Sequence, residues 1–104
     1  MDLKFTWDKP KAKNNYAKDG VSFDLAKGVF KDPFAVEFLD DRQDYGEERF
    51  VMIGMVEDHL LYVAYTERDE IIRFISARRA TKHEEQVYFQ QNTQGDSSDD
   101  ADCD

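Results

Sequence analysis

The sequence predicts an α+β domain, with two N-terminal helices and one C-terminal helix packed on one face of a twisted antiparallel sheet. Three observations lead there. Two helix-start signals stand in the first third, four β-type runs follow through short polar links, and one more helical stretch closes the body.

The elements follow in chain order. Lys4 to Trp7 reads as a short first strand. Asp8 can cap a helix by accepting the free amide hydrogens of its first turn, and Pro10 falls where a missing N–H costs little. That helix runs to about Lys18 and stops at Gly20. Ser22 starts a second helix, whose apolar face is Phe23, Ala26, Val29 and Phe30, and Asp32-Pro33 ends it. Strands follow at Phe34–Leu39, Phe50–Val56, Leu60–Thr66 and Ile71–Ala77, with turns at Glu57-Asp58-His59 and Glu67-Arg68-Asp69. Consecutive strands with short links imply an antiparallel meander. Thr81 to Tyr88 is the closing helix.

The 104 residues suit one domain, placed at 1–91, and 13% aromatic content supplies one core. Residues 92–104 hold five aspartates and no Lys, Arg or bulky apolar group, so they are expected to form a disordered acidic tail. The net charge is −9; without the tail, 18 acids face 14 bases. Such a body cannot hold nucleic acid through a general positive field, so any RNA chemistry needs a local cluster of cations. There is no apolar run of the roughly 20 residues that span a bilayer, and no secretory apolar stretch after Met1. The lone Cys103 has no disulfide partner, which fits a cytoplasmic location.

The cations of the second half are candidates for such a cluster. Arg49 opens one strand, Arg68 sits at a turn, Arg73 lies mid-strand, and Arg78 and Arg79 follow that strand's end. Simple alternation places Arg73 and Arg79 on one face and Arg78 on the other. An arginine within an apolar strand needs a partner. That partner is either a carboxylate, such as Glu67, Glu37 or Glu48, or a phosphate, whose oxygens match the guanidinium fork. His59 and His83 stand alone, and no His or Cys has zinc-ligand spacing, so neither metal nor cofactor is expected. Asp40, Asp41 and Asp44 lack the spacing of a calcium loop. Trp7 reads as packing, with base stacking as the alternative.

Four blocks carry a family resemblance. The first is Phe5-Thr6-Trp7-Asp8, Lys11, Asn15, Lys18, Gly20-Val21-Ser22-Phe23 and Ala26; the second is Val29-Phe30-Lys31-Asp32-Pro33. The third is Asp41-Arg42, Tyr45 to Phe50 and Ile53-Gly54; the fourth is Tyr65 to Arg68, Ile72 to Ala80, Glu84 and Tyr88. In this order and spacing they resemble the BrnT family of ribonuclease toxins from type II toxin–antitoxin modules. The resemblance covers about residues 5–88. It implies a fold related to RelE-type toxins and metal-independent endoribonuclease activity on RNA. It also implies a BrnA-like antitoxin that binds operator DNA through a ribbon–helix–helix dimer. The toxin would then sit in a hetero-oligomer and touch DNA only indirectly.

RNA carries its own nucleophile, the 2′-hydroxyl, so such a protein need only position the chain and stabilise charge. The residues assigned to phosphate stabilisation are Arg49, Arg68, Arg73 and Arg78, with Lys18 assisting and Glu48 as the base. One departure stands out. The family has His after the lysine, where this chain reads Lys18-Asp19-Gly20. Aspartate there either weakens proton transfer, leaving a binding module that acts with an antitoxin in transcriptional control, or is a neutral change at a helix end.

Overall fold

The computed structural model describes residues 3–40 and 48–92. The third block's Asp41-Arg42 and Tyr45 to Glu47, together with the acidic tail beyond Asn92, lie outside the described residues. The elements are β1 (Lys4–Thr6), α1 (Lys9–Asp19), α2 (Phe23–Ala26), a 3₁₀ turn (Lys27–Lys31), β2 (Val36–Asp40), β3 (Arg49–Val56), β4 (His59–Arg68), β5 (Ile71–Arg79) and α3 (Lys82–Asn92).

Local chemistry explains most boundaries. The Asp8 carboxylate accepts from the Lys11 amide, and α1 ends where Gly20 takes φ 72°. Ser22 caps α2 by accepting from the Leu25 amide at 3.0 Å. Thr81 and Glu84 form a reciprocal capping box at the start of α3: the Glu84 amide donates to the Thr81 hydroxyl and the Thr81 amide to the Glu84 carboxylate. Two-residue turns at Glu57-Asp58 and Asp69-Glu70 join β3 to β4 and β4 to β5, all four residues having positive φ. The second turn is tighter than the sequence predicts, so Arg68 is the last residue of β4, paired with Ile71, and not part of the turn.

Among the described residues the sheet has five strands in the order β1-β5-β4-β3-β2. Its last four strands form the expected antiparallel meander, whereas β1 joins β5 in parallel. The chain can return from β1 to β5 only after α1, α2 and the meander, and that long crossover permits a parallel pair.

The helices do not share one face. One core layer sets Val21, Phe23, Ala26 and Val29 against Leu61, Val63, Tyr65, Ile72, Phe74 and Ala77. Gly54 of β3 lets the 3₁₀ turn pack closely, since a Cβ there would come within 2.9 Å of the Val29 side chain. The opposite face carries Val51, Ile53 and Leu60 beneath Tyr88 of α3. The reason is the meander's own pattern: β3 and β4 are apolar on both faces and need cover on each.

A register shift in the β4–β5 ladder sets the faces of β5. Ala64 pairs with Ser76 but Tyr65 pairs with Phe74, which leaves Ile75 as an extra residue. Arg78 thereby lands opposite Tyr62, on the same α3-side face as Arg73, while Ala77 and Arg79 turn to the α1 side. Strict alternation along β5 predicts the reverse for Arg78, and the bulge is what corrects it.

Candidate functional site

Three neighbouring strands build a cleft at the β4–β5 hairpin end of the sheet, on the face that carries α3. Arg73 of β5 is flanked in register by Thr66 of β4 and Thr6 of β1, so hydroxyl, guanidinium and hydroxyl form one transverse row. Continuing the Phe50–Tyr65 register by one step brings Arg49 beside Thr66, with Asp40 of β2 next in line. A second row, one step nearer the hairpin on the same face, reads Arg68, Ile71 and Lys4. The cleft measures about 490 Å³, and Thr6, Glu48, Thr66, Arg68, Ile71 and Arg73 line it together with Glu67 and Asp69.

Arg68 and Arg73 are exposed, and neither forms an ion pair with a described carboxylate. Their fork-shaped donors face the solvent in the cleft, where an anion with two acceptor oxygens fits them. Glu48 precedes β3 and is also exposed. Among the described residues the cleft has three carboxylates against these two arginines, so it is not a strongly positive pocket. The register turns Glu67 toward the α1 side with Ile72, which leaves Glu48 as the lining acid nearest Arg49 in sequence. Arg49 is half-buried at the first position of β3, paired with Asp40.

The other two predicted cations lie elsewhere. Arg78 shares the cleft's face but sits five residues further along β5, on the order of 15 Å away by strand rise. Its two terminal nitrogens bind both Glu84 oxygens at 2.8 Å, and its guanidinium stacks over the Tyr62 ring at 3.9 Å. The Glu84 hydrogen bonds raise the Arg78 pKa against the opposing effect of burial. Burial works against the ionised Glu84, but the bonds from Arg78 and Thr81 outweigh it and hold the acid below its usual range. Arg78 thus fixes α3 to the sheet. Lys18 is exposed in the last turn of α1, the helix that covers the opposite face. Asp19, beside it, is near enough for its charge to act on Arg78. The Lys18-Asp19 pair therefore belongs to the Arg78 end of the sheet and not to the cleft.

Thr6, Thr66, Glu67, Asp69 and Ile71 are the lining residues that sequence reasoning did not assign to the site. Trp7 packs edge-on against Phe23 and tilted against Phe74, with ring centroids 5.9 and 5.8 Å apart, so it belongs to the core. The Tyr65 hydroxyl donates to Glu37, and burial together with that acceptor raises its pKa, but the register turns both away from the cleft. Among the described residues no group of three His, Cys, Asp or Glu side chains forms a metal-ligand set, and no helix is long and apolar enough to cross a membrane.

Residues 7–84 match the model of the ribonuclease toxin family BrnT, of type II toxin–antitoxin systems. The chain belongs to the BrnT family. The match begins one residue after Thr6 and includes every other lining residue of the cleft. No curated protein matches the chain. Membership makes this chain a ribonuclease toxin of a type II system by family and implies an antitoxin as its partner.

Proposed function

We propose that the chain is an endoribonuclease toxin that cuts RNA at the cleft without a metal ion. One observation carries the reading: Arg68 and Arg73, from adjacent strands, share one open cleft with Thr6, Thr66 and Glu48, and no described carboxylate forms an ion pair with either arginine. The scissile phosphate would sit on the Arg73 row. The 2′-oxygen attacks the adjacent phosphorus as Glu48 takes its proton. The bond from phosphorus to the 5′-oxygen then breaks, and that oxygen gains a proton from water. The products are a 2′,3′-cyclic phosphate and a 5′-hydroxyl. Negative charge grows on the phosphate oxygens along this path, and Arg73, Arg68 and Arg49 stabilise it with help from the threonine hydroxyls. Lys18 and Arg78 take no direct part in this scheme.

The same reading includes a RelE-like fold, a cytoplasmic location and neutralisation by a BrnA-like ribbon–helix–helix antitoxin within a hetero-oligomer. That complex would repress its own operon, with the antitoxin making the DNA contacts. Arg73→Ala is expected to relieve growth arrest on expression and to lower the cleavage rate about 10²- to 10³-fold, with an unchanged circular dichroism spectrum. Full toxicity in a folded Arg73→Ala protein rejects the assignment.

A second reading has one observation in its favour. Arg78 is already occupied by Glu84, and Asp19 adds negative charge near it. On that reading the chain is a binding module that works with its antitoxin in transcriptional control. Expression without antitoxin separates the two: growth arrest with cut transcripts supports the nuclease, and normal growth with tight antitoxin binding supports the module.

A further inference from the structure

We infer that the row Lys4–Ile71–Arg68 is a second subsite of the cleft, which seats one unpaired nucleotide of RNA beside the phosphate held by Arg73. The inference rests on the ribonuclease reading above and adds the substrate class, single-stranded RNA.

Ile71 is 40% exposed, although its strand neighbours in the row are a lysine and an arginine. It lines the cleft with Arg68 and Arg73. An aliphatic side chain among cations and hydroxyls offers a face to a planar base, while Lys4 beside it offers charge to the phosphate of the same nucleotide and Arg68 stays with the scissile phosphate. The two rows lie two residues apart along the strands, about 7 Å, which is the reach of one nucleotide step in an extended chain. A paired strand does not fit this subsite. In an A-form helix the base faces are stacked on one another, and only a splayed base can lie on Ile71. Lys4 precedes the segment matched to the family, so this contact is argued from the sheet register of this chain alone.

The test is steady-state cleavage by the full chain of one short oligoribonucleotide that it cuts. The substrate is offered single-stranded, annealed to its complement, and with one abasic ribose next to the cut. Lys4→Gln, Ile71→Ser and Ile71→Leu are compared with the unmodified protein. Lys4→Gln and Ile71→Ser are expected to raise KM about tenfold at unchanged kcat, with Ile71→Leu near normal. The abasic substrate raises KM similarly for the unmodified protein and adds nothing to Ile71→Ser. The annealed substrate is cut poorly by all. Unchanged KM in both variants, on RNA that the unmodified protein cuts, overturns the subsite and leaves the nuclease standing. So does a loss confined to antitoxin affinity, which would make Ile71 a protein-docking residue. An unmodified protein that cuts no RNA in any form overturns the nuclease reading and the subsite together.

Discussion

Asn15 does at one residue what a missing strand would do. β1 stops at Thr6, so among the described residues the outer edge of β5 beyond Arg73 has no strand beside it. The Asn15 side chain takes that place: its Nδ2 donates to the Ala77 carbonyl and its Oδ1 accepts from the Ala77 amide, at 2.9 and 3.1 Å. The same Nδ2 also donates to the Val21 carbonyl. All three bonds are buried, so Asn15→Ala strands an N–H and two carbonyls away from water. A loss of about 2–4 kcal/mol is expected in urea unfolding, with Asn15→Leu no better, because shape without hydrogen bonds does not answer the backbone. Within the cleft, Glu48→Gln removes the proton acceptor and keeps the shape. It is expected to lower kcat about 10²-fold with little change in KM, and an unchanged kcat excludes Glu48 as the base. The sequence marks Asn15 only as one member of a motif. Its partner Ala77 lies 62 positions away, and no local pattern encodes that distance. Thr6 escapes for the same reason: it enters the cleft through a parallel pairing whose register no nearby residue announces.

At the scale of elements, the helix ends and strand runs are legible because their causes are local. Asp8, Gly20, Ser22 and the Thr81–Glu84 box each act within a few residues of where they stand. The bulge at Ile75 is different. It is a relation between two strands, and it alone decides which side of the sheet Arg78 occupies. The seat of α3 also depends on distant partners. Asp32, at the end of the 3₁₀ turn, accepts from the Phe34 and Met55 amides and from the Tyr88 hydroxyl at 2.7 Å. Burial pushes the Asp32 pKa up, but these three donors outweigh it and hold the carboxyl below its ordinary 3.8. Burial and the same bond push the Tyr88 hydroxyl up to about 12, so it remains a donor throughout the working range. A carboxyl with a lowered folded pKa adds stability above its unfolded value and loses it as pH falls through the folded one. Glu84 has the same sign, so these two attachments of α3 weaken together in acid. Helix α3 is therefore expected to become more protease-sensitive and, once rates are corrected for the intrinsic pH dependence of amide exchange, to lose exchange protection as pH drops below about 4. In Asp32→Asn that protection is already lowered at pH 7 and changes less with acid. Unchanged protection factors in the unmodified protein down to pH 3 would falsify the linkage.

For the whole molecule the decisive quantity is charge. A net of −9 repels RNA at long range, yet the proposed work is done on RNA. The two are compatible if binding rests on a few short contacts in a cleft and not on a broad field. A broad positive field releases many counterions and gives a steep salt dependence, whereas a small set of arginines gives a shallow one. Single-stranded RNA lowers log K with log salt by about 0.7 for each phosphate neutralised. Two phosphates, one held on the Arg73 row and one on the neighbouring row, then predict a slope near −1.4. Arg73→Ala should bring it to about −0.7, whereas Arg78→Gln should leave it unaltered because Glu84 already neutralises that group. Titrating a 2′-deoxy, uncleavable analogue of the cut oligonucleotide at several potassium concentrations measures this directly. A slope of −5 or steeper would place the binding surface beyond the cleft. A slope that changes with Arg78 and not with Arg73 would move the phosphate seat to the α3 end of the sheet.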